Sequence, residues 1–158
     1  MGASVVILMG SKSDLDHVNQ IGATLDGFGI PYEMRVASAH KSVRHLLGVI
    51  EKYAEAEGPL VFVAVAGRSN ALGGMLDANT PWPVVTCPPV SSTFGGADIY
   101  SSLRMPSGVA PMVVLDPKGA ALAAVKILAA GDPALQKRVS DYQTEMTAAI
   151  LAADESLR

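Results

Sequence analysis

The chain has a single cysteine, Cys87, in 158 residues, so no internal disulfide can form, and the thiol in its Val-Val-Thr-Cys-Pro-Pro setting reads as a buried structural group. Charge is scarce as well. Charged residues make up 17% of the chain, against about 25% in an average globular protein, and the net charge is −3. Bulk attraction to a polyanion is thereby excluded, and nucleic acid is not an expected partner. The longest strongly apolar run, residues 60–66, is far short of the ~18–20 residues a bilayer span requires, so no membrane association is expected. The apolar stretch 5–9 has no basic residue before it and no plausible cleavage site after it, which points to a cytoplasmic address. HExxH, Cys/His-cluster and Walker motifs are all missing, so no metal or nucleoside triphosphate is indicated.

What is abundant is apolar side chain, 49% of the chain. That excludes disorder, and a chain of this length buries roughly two-thirds of its unfolded surface as one domain, here 1–158. Val5-Val6-Ile7-Leu8-Met9 is a short β-branched run ended by Gly10, and Leu15, Val18, Ile21, Leu25 and Phe28 follow it at helical spacing. The pattern repeats with a strand over 32–37 and a helix marked by Val43, Leu46, Leu47, Ile50 and Tyr53. Residues 60–66 are apolar at every position, as in a strand covered on both faces. A short helix over 70–77 and strands over 83–87 and 111–115 complete the alternation. Strands separated by helices need crossover connections and are therefore parallel. The expected fold is a three-layer α/β domain of flavodoxin-like type, with helices on both faces of a parallel sheet and a long C-terminal helix over 133–153.

Residues 119–130 carry one charge, Lys126, and are apolar on nearly every side, while Leu135, Val139, Tyr142, Met146 and Ile150 form one stripe on the last helix. Both features predict packing between subunits.

In such sheets ligands bind beyond the carboxyl ends of the strands. Three polar loops stand there. Gly10-Ser11-Lys12-Ser13-Asp14 opens the first helix, where free N–H groups and the helix dipole suit a single phosphate, although Ser and Asp also serve there as plain N-caps. Ser38-Ala39-His40-Lys41 opens the second, and His40 is the histidine placed to accept and return a proton beside an anion held by Lys41. His17 and His45 fall within helices and read as solvated or structural. Gly67-Arg68-Ser69-Asn70 ends the third strand and offers donors suited to a carboxylate, or else forms an ordinary polar turn with a helix cap.

At these residues the sequence resembles the PurE family of purine biosynthesis over nearly its whole length. Val-Ile-Leu-Met-Gly-Ser-Lys-Ser-Asp at 6–14 matches the family's opening motif, and Ser-Ala-His at 38–40 its catalytic loop. Mutase-type members carry a second histidine in the third loop, whereas Ala-Gly-Arg-Ser-Asn-Ala-Leu-Gly at 66–73 resembles the class II branch that includes the animal carboxylase domain. Lys41, where the mutases usually have arginine, and Ser-Ser-Leu-Arg-Met-Pro-Ser-Gly at 101–108 point the same way.

The resemblance implies 5-aminoimidazole ribonucleotide (AIR) carboxylase, which adds carbon dioxide reversibly to give the 4-carboxy product (CAIR) without ATP, biotin or metal. It implies that Ser11, Ser38 and Lys41, assisted by Ser13, hold the phosphate, and that Asp14 accepts from the ribose hydroxyls. His40 would shuttle the proton. Gly67, Arg68 and Ser69 would place the carbon dioxide, with Asn70 behind them, and a loop through Pro106, Ser107 and Gly108, of this subunit or of a neighbour, would complete the pocket. Family members are tetramers or octamers. The nearest rival is the mutase that moves a carboxyl group from the exocyclic nitrogen to the ring carbon. A phosphoacceptor receiver lacks support because Gly10-Ser11 and Gly67-Arg68 stand where it needs acids, and a flavin carrier because aromatics are only 5%.

Overall fold

The computed structural model describes residues 4–158. Strands β1 (Val5–Met9), β2 (Tyr32–Val36), β3 (Val61–Val65), β4 (Val84–Thr86) and β5 (Met112–Val113) form one parallel sheet in the order β2-β1-β3-β4-β5. This is the flavodoxin-like order, whose switch point lies between β1 and β3.

Helices α1 (Leu15–Gly27), α5 (Pro117–Ala129) and α6 (Pro133–Glu155) cover one face, and α2 (Val43–Lys52) and α3 (Ala71–Asp77) cover the other. A four-residue helix, α4 (Tyr100–Leu103), lies in the long connection from β4 to β5. Alternation within the strands builds two cores. Val5, Ile7, Met9, Val61, Val63 and Val65 face α1 and α5, while Val6, Leu8, Phe62 and Ala64 face α2 and α3. Each of these side chains other than Ala64 contributes about 1.5–3 kcal/mol when fully buried. A slip of one residue would exchange the two sets, so the register is firmly fixed.

That register positions the site. Met9 is paired with Val36 on one side and Val65 on the other, so the three strands end level and their loops leave side by side. The Ala37 N–H donates to the Met9 carbonyl at 3.0 Å and the Gly10 N–H to the Val65 carbonyl at 2.9 Å, which ties the loop starts together.

Two expectations need correction. The fifth strand covers Met112–Val113 rather than 111–115, because it is an edge strand that begins after a proline with no N–H to give. The apolar helix α5 is covered mainly by its own chain. Ala120, Ala121 and Ala124 let it approach closely, and it is enclosed by β3, β4, α1 and α6. Burial inside the fold is therefore enough to account for its composition. The stripe on α6 divides: Leu135 and Val139 are buried, Tyr142 packs against Phe28 with ring centroids 5.3 Å apart, and Met146 and Ile150 are exposed.

Candidate functional site

A cleft of about 470 Å³ opens over the ends of β1, β2 and β3, and all three polar loops line it. From the first come Ser11, Ser13 and Asp14, from the second Ser38, His40 and Lys41, and from the third Gly67, Arg68 and Ser69. A hollow of comparable size, about 560 Å³, lies between α1 and α6, but it is lined by none of the three loops and by no histidine.

The first loop serves as cap and cradle together. The Ser11 Oγ accepts from the Ser13 N–H at 3.2 Å and the Ser13 hydroxyl at 2.9 Å, closing a short 3-10 turn over Lys12–Asp14 that leads into α1. The Ser11 hydroxyl proton remains free to donate into the cleft. Asp14 is half-buried at the helix start. Burial raises its carboxyl above the ordinary aspartate value, opposed by the nearby charge of His17 and by hydrogen bonds from Ser13 and the Ser11 backbone.

In the second loop the Ser42 Oγ accepts from the Ser38 N–H at 2.9 Å and the Ser38 Oγ from the Lys41 N–H at 3.2 Å. These bonds fix the turn that presents His40, leaving its imidazole in the cleft. His40 is exposed and is the one histidine among the lining residues. His45 instead places Nε2 3.2 Å from the Val36 carbonyl.

The third loop is the most constrained. The Ser69 N–H donates to the Gly67 carbonyl at 2.6 Å, a three-residue γ-turn centred on Arg68, whose φ is +58°. A non-glycine residue in that region is strained. Asn70 does not line the cleft. It is buried, its Oδ1 caps α3 by accepting from the Gly73 N–H at 3.0 Å, and its amide reaches Ser102 Oγ at 3.0 Å. It stands behind the loop as a helix cap, and not in the cleft among the substrate-binding residues where the sequence reading placed it. Pro106, Ser107 and Gly108 are not among this cleft's lining residues.

One pairing escaped the sequence. His17 Nε2 lies 3.2 Å from Cys87 Sγ, across 70 positions of chain. Burial, then the charge of Asp116, pushes the Cys87 thiol up to about 12, and burial lowers His17. The thiol is therefore protonated at neutral pH, the opposite of an activated thiolate. Cys87 is structural.

No aromatic side chain lines the cleft, and Asp14 is its one carboxylate among the described residues. Neither a flavin slot nor an acidic phosphoacceptor cluster is formed. What converges is a set of neutral and cationic donors at two helix starts, one acceptor for hydroxyls, and one imidazole.

The sequence matches the AIR carboxylase family over residues 4–149. It is 52% identical over 157 residues to the phosphoribosylaminoimidazole carboxylase of Archaeoglobus fulgidus, covering 99% of this chain and 86% of that protein. It is 44% identical over 155 residues to the chicken multifunctional protein ADE2, covering 98% of this chain and 36% of that much longer protein. The crystal structure of Treponema denticola PurE superposes with a TM-score of 0.95 at 43% identity, covering 98% of each chain.

Proposed function

Because this chain belongs to the AIR carboxylase family, we propose that it is a carboxy-lyase of purine biosynthesis that converts AIR and carbon dioxide reversibly to CAIR. The observation that carries the reading is the convergence of three strand-end loops on one cleft holding anion donors and a single histidine.

The chemistry asks little beyond placement. The ring carbon of AIR is made electron-rich by the adjacent amino group and attacks the carbon of carbon dioxide. A carbon–carbon bond forms as one C=O pair moves onto oxygen, leaving a carboxylate and a ring carbon that still bears hydrogen. His40 removes that proton, and the released pair restores the aromatic ring; in reverse the imidazolium returns it. The protein's contribution is to hold the partners in contact and to stabilise the charge that develops on the carboxylate.

Ser11, Ser38 and Lys41, with Ser13, hold the phosphate at the starts of α1 and α2, where the dipoles favour an anion. Asp14 accepts from the ribose hydroxyls. Arg68 and Ser69 receive the carboxylate, with the Gly67 N–H, which has no partner among the described residues.

Direct carboxylation is favoured over the mutase reaction because Arg68, not a second histidine, occupies the third loop. Turnover of AIR with bicarbonate as the source of carbon dioxide, compared with turnover of the N5-carboxyamino isomer, tests this. Rapid formation of CAIR from AIR is expected. Conversion of the isomer faster than its spontaneous decay, with AIR inert, would make the protein a mutase.

Asp14→Asn should raise the dissociation constant for the nucleotide about tenfold, or about 1.4 kcal/mol. An unchanged constant would remove the ribose role. The sign of the pH effect follows from burial. Since the Asp14 carboxyl is raised above its ordinary 3.8, the acceptor is lost as pH falls through that raised value, and nucleotide affinity weakens earlier than for an ordinary aspartate. The same shift means that folding disfavours the ionised form, a cost to stability present above the raised value and relieved below it. Asp14→Asn should thus leave Tm unchanged or higher, measurable by thermal unfolding at pH 7.

The protein works as a homo-oligomer, on the reading that the outer part of α6 is an interface. Ile150 is 72% exposed and Leu151 60%, and Tyr100, Leu103 and Phe94 are also exposed on the β4–β5 connection. Light scattering should give a tetramer or octamer of the 16.3 kDa chain. A monomeric mass would overturn it.

A further inference from the structure

The β4–β5 connection does more than link strands. It bends through consecutive left-handed glycines, Gly95 at φ +55° and Gly96 at φ +84°, and returns beneath the third cleft loop. There it grips that loop at successive points. Asp98 Oδ2 accepts from the Arg68 N–H at 3.2 Å and from the Ser91 N–H at 3.2 Å. Ser101 Oγ accepts from the Asn70 N–H at 3.0 Å while donating to the Asp98 carbonyl at 2.8 Å, and Ser102 Oγ accepts from the Asn70 amide at 3.0 Å.

The other Asp98 oxygen, Oδ1, is buried and has no hydrogen-bond partner among the described residues. An unpaired carboxylate oxygen out of water is costly, and a neutral residue could join the same two amides without it. What the carboxylate adds is a stronger acceptor, since hydrogen bonds to an ionised group are roughly twice as strong as neutral ones. That strength is applied to the Arg68 amide, at the one non-glycine residue with positive φ among the described residues. Such a conformation persists only where its surroundings over-determine it.

We infer that Asp98 is a positioning residue for carboxylation, holding the strained Arg68 turn in the shape that receives carbon dioxide. This rests on the function proposed above and deepens it. Asp98 stands behind the loop, outside the set of residues that line the main cleft, and acts through Gly67, Arg68 and Ser69. The phosphate and ribose are held by the other two loops, which it does not touch. Its loss must therefore appear in the use of carbon dioxide and not in affinity for the nucleotide.

The experiment is steady-state kinetics of the full chain and its Asp98→Ala and Asp98→Asn variants, varying AIR and carbon dioxide separately, beside thermal unfolding. Asp98→Ala is expected to lower kcat/KM for carbon dioxide about thirtyfold with KM for AIR unchanged, because a misplacement near 1 Å costs about 10²-fold. Asp98→Asn keeps one acceptor oxygen without the charge, and a loss of about fivefold is expected from its weaker bonds. If Asp98→Ala does not fold, Asp98→Asn carries the test. Wild-type constants in Asp98→Asn, or KM for AIR rising in parallel with the loss for carbon dioxide, would overturn the inference. Failure of the unmodified protein to carboxylate AIR would instead overturn the function on which it rests.

Discussion

Replacing His40 with asparagine is expected to remove turnover, by about 10³-fold or more, while the dissociation constant for the ribonucleotide stays within about tenfold. The loss corresponds to about 4 kcal/mol of barrier. Its size follows from the chemistry. Once the new carbon–carbon bond exists, the ring regains aromaticity only by giving up a proton. No second imidazole lines the cleft to take it, and the nearest carboxylate, Asp14, is occupied with hydroxyls in the proposed pose. Asparagine fills similar space and preserves polarity but accepts no proton. Binding is spared because, in the proposed pose, the phosphate is held at two helix starts by groups other than His40. CAIR decarboxylation must fall by the same factor, since the reverse reaction needs the same proton delivered and a catalyst cannot move the equilibrium. Near-normal turnover in either direction would remove His40 as the essential base.

The parts of the fold set by local pattern were readable in advance, and those set by distant contact were not. Val5–Met9 and Val61–Val65 are apolar throughout because they are the inner strands, covered on both faces, and they lie where the pattern predicts them. Their common end point follows once the strands are parallel and in register, so His40 and the first and third loops could be assigned to one rim before any coordinates. The covering of α5 could not be read. Alanines at 120, 121 and 124 say that something approaches closely, and nothing in their spacing tells α1 and α6 from a second subunit.

Asp98 was missed for a related reason. It is separated from Arg68 by 30 positions and lies in a segment with no periodicity, where the Gly95-Gly96 pair announces a sharp turn but not its destination. His17 and Cys87 are farther apart still, and each alone looked structural. Their contact supplies a partner that neither position reveals alone.

Gly67→Ala is the second change with a large expected effect, and backbone contact sets its size. A Cβ built at Gly67 would lie 2.8 Å from the Pro89 carbonyl oxygen, closer than real Cβ atoms come to anything. The obstacle is main chain, the carbonyl of the second of two consecutive prolines, so it cannot swing aside as a side chain would. The loop has to move instead. It is anchored at Arg68 and Asn70 by Asp98 and Ser101, so a shift at Gly67 must strain those bonds or carry the turn with it. Overpacking of this kind costs about 1–3 kcal/mol of stability, so the variant should fold with a lowered Tm. Activity should suffer more, since a shift near 1 Å at a reacting position costs about 10²-fold. With the phosphate and ribose sites intact, the loss should fall on kcat and on carbon dioxide, and nucleotide affinity should be retained. Wild-type kinetics in a folded Gly67→Ala protein would mean that the third loop does not position the carboxylate, whatever His40 does.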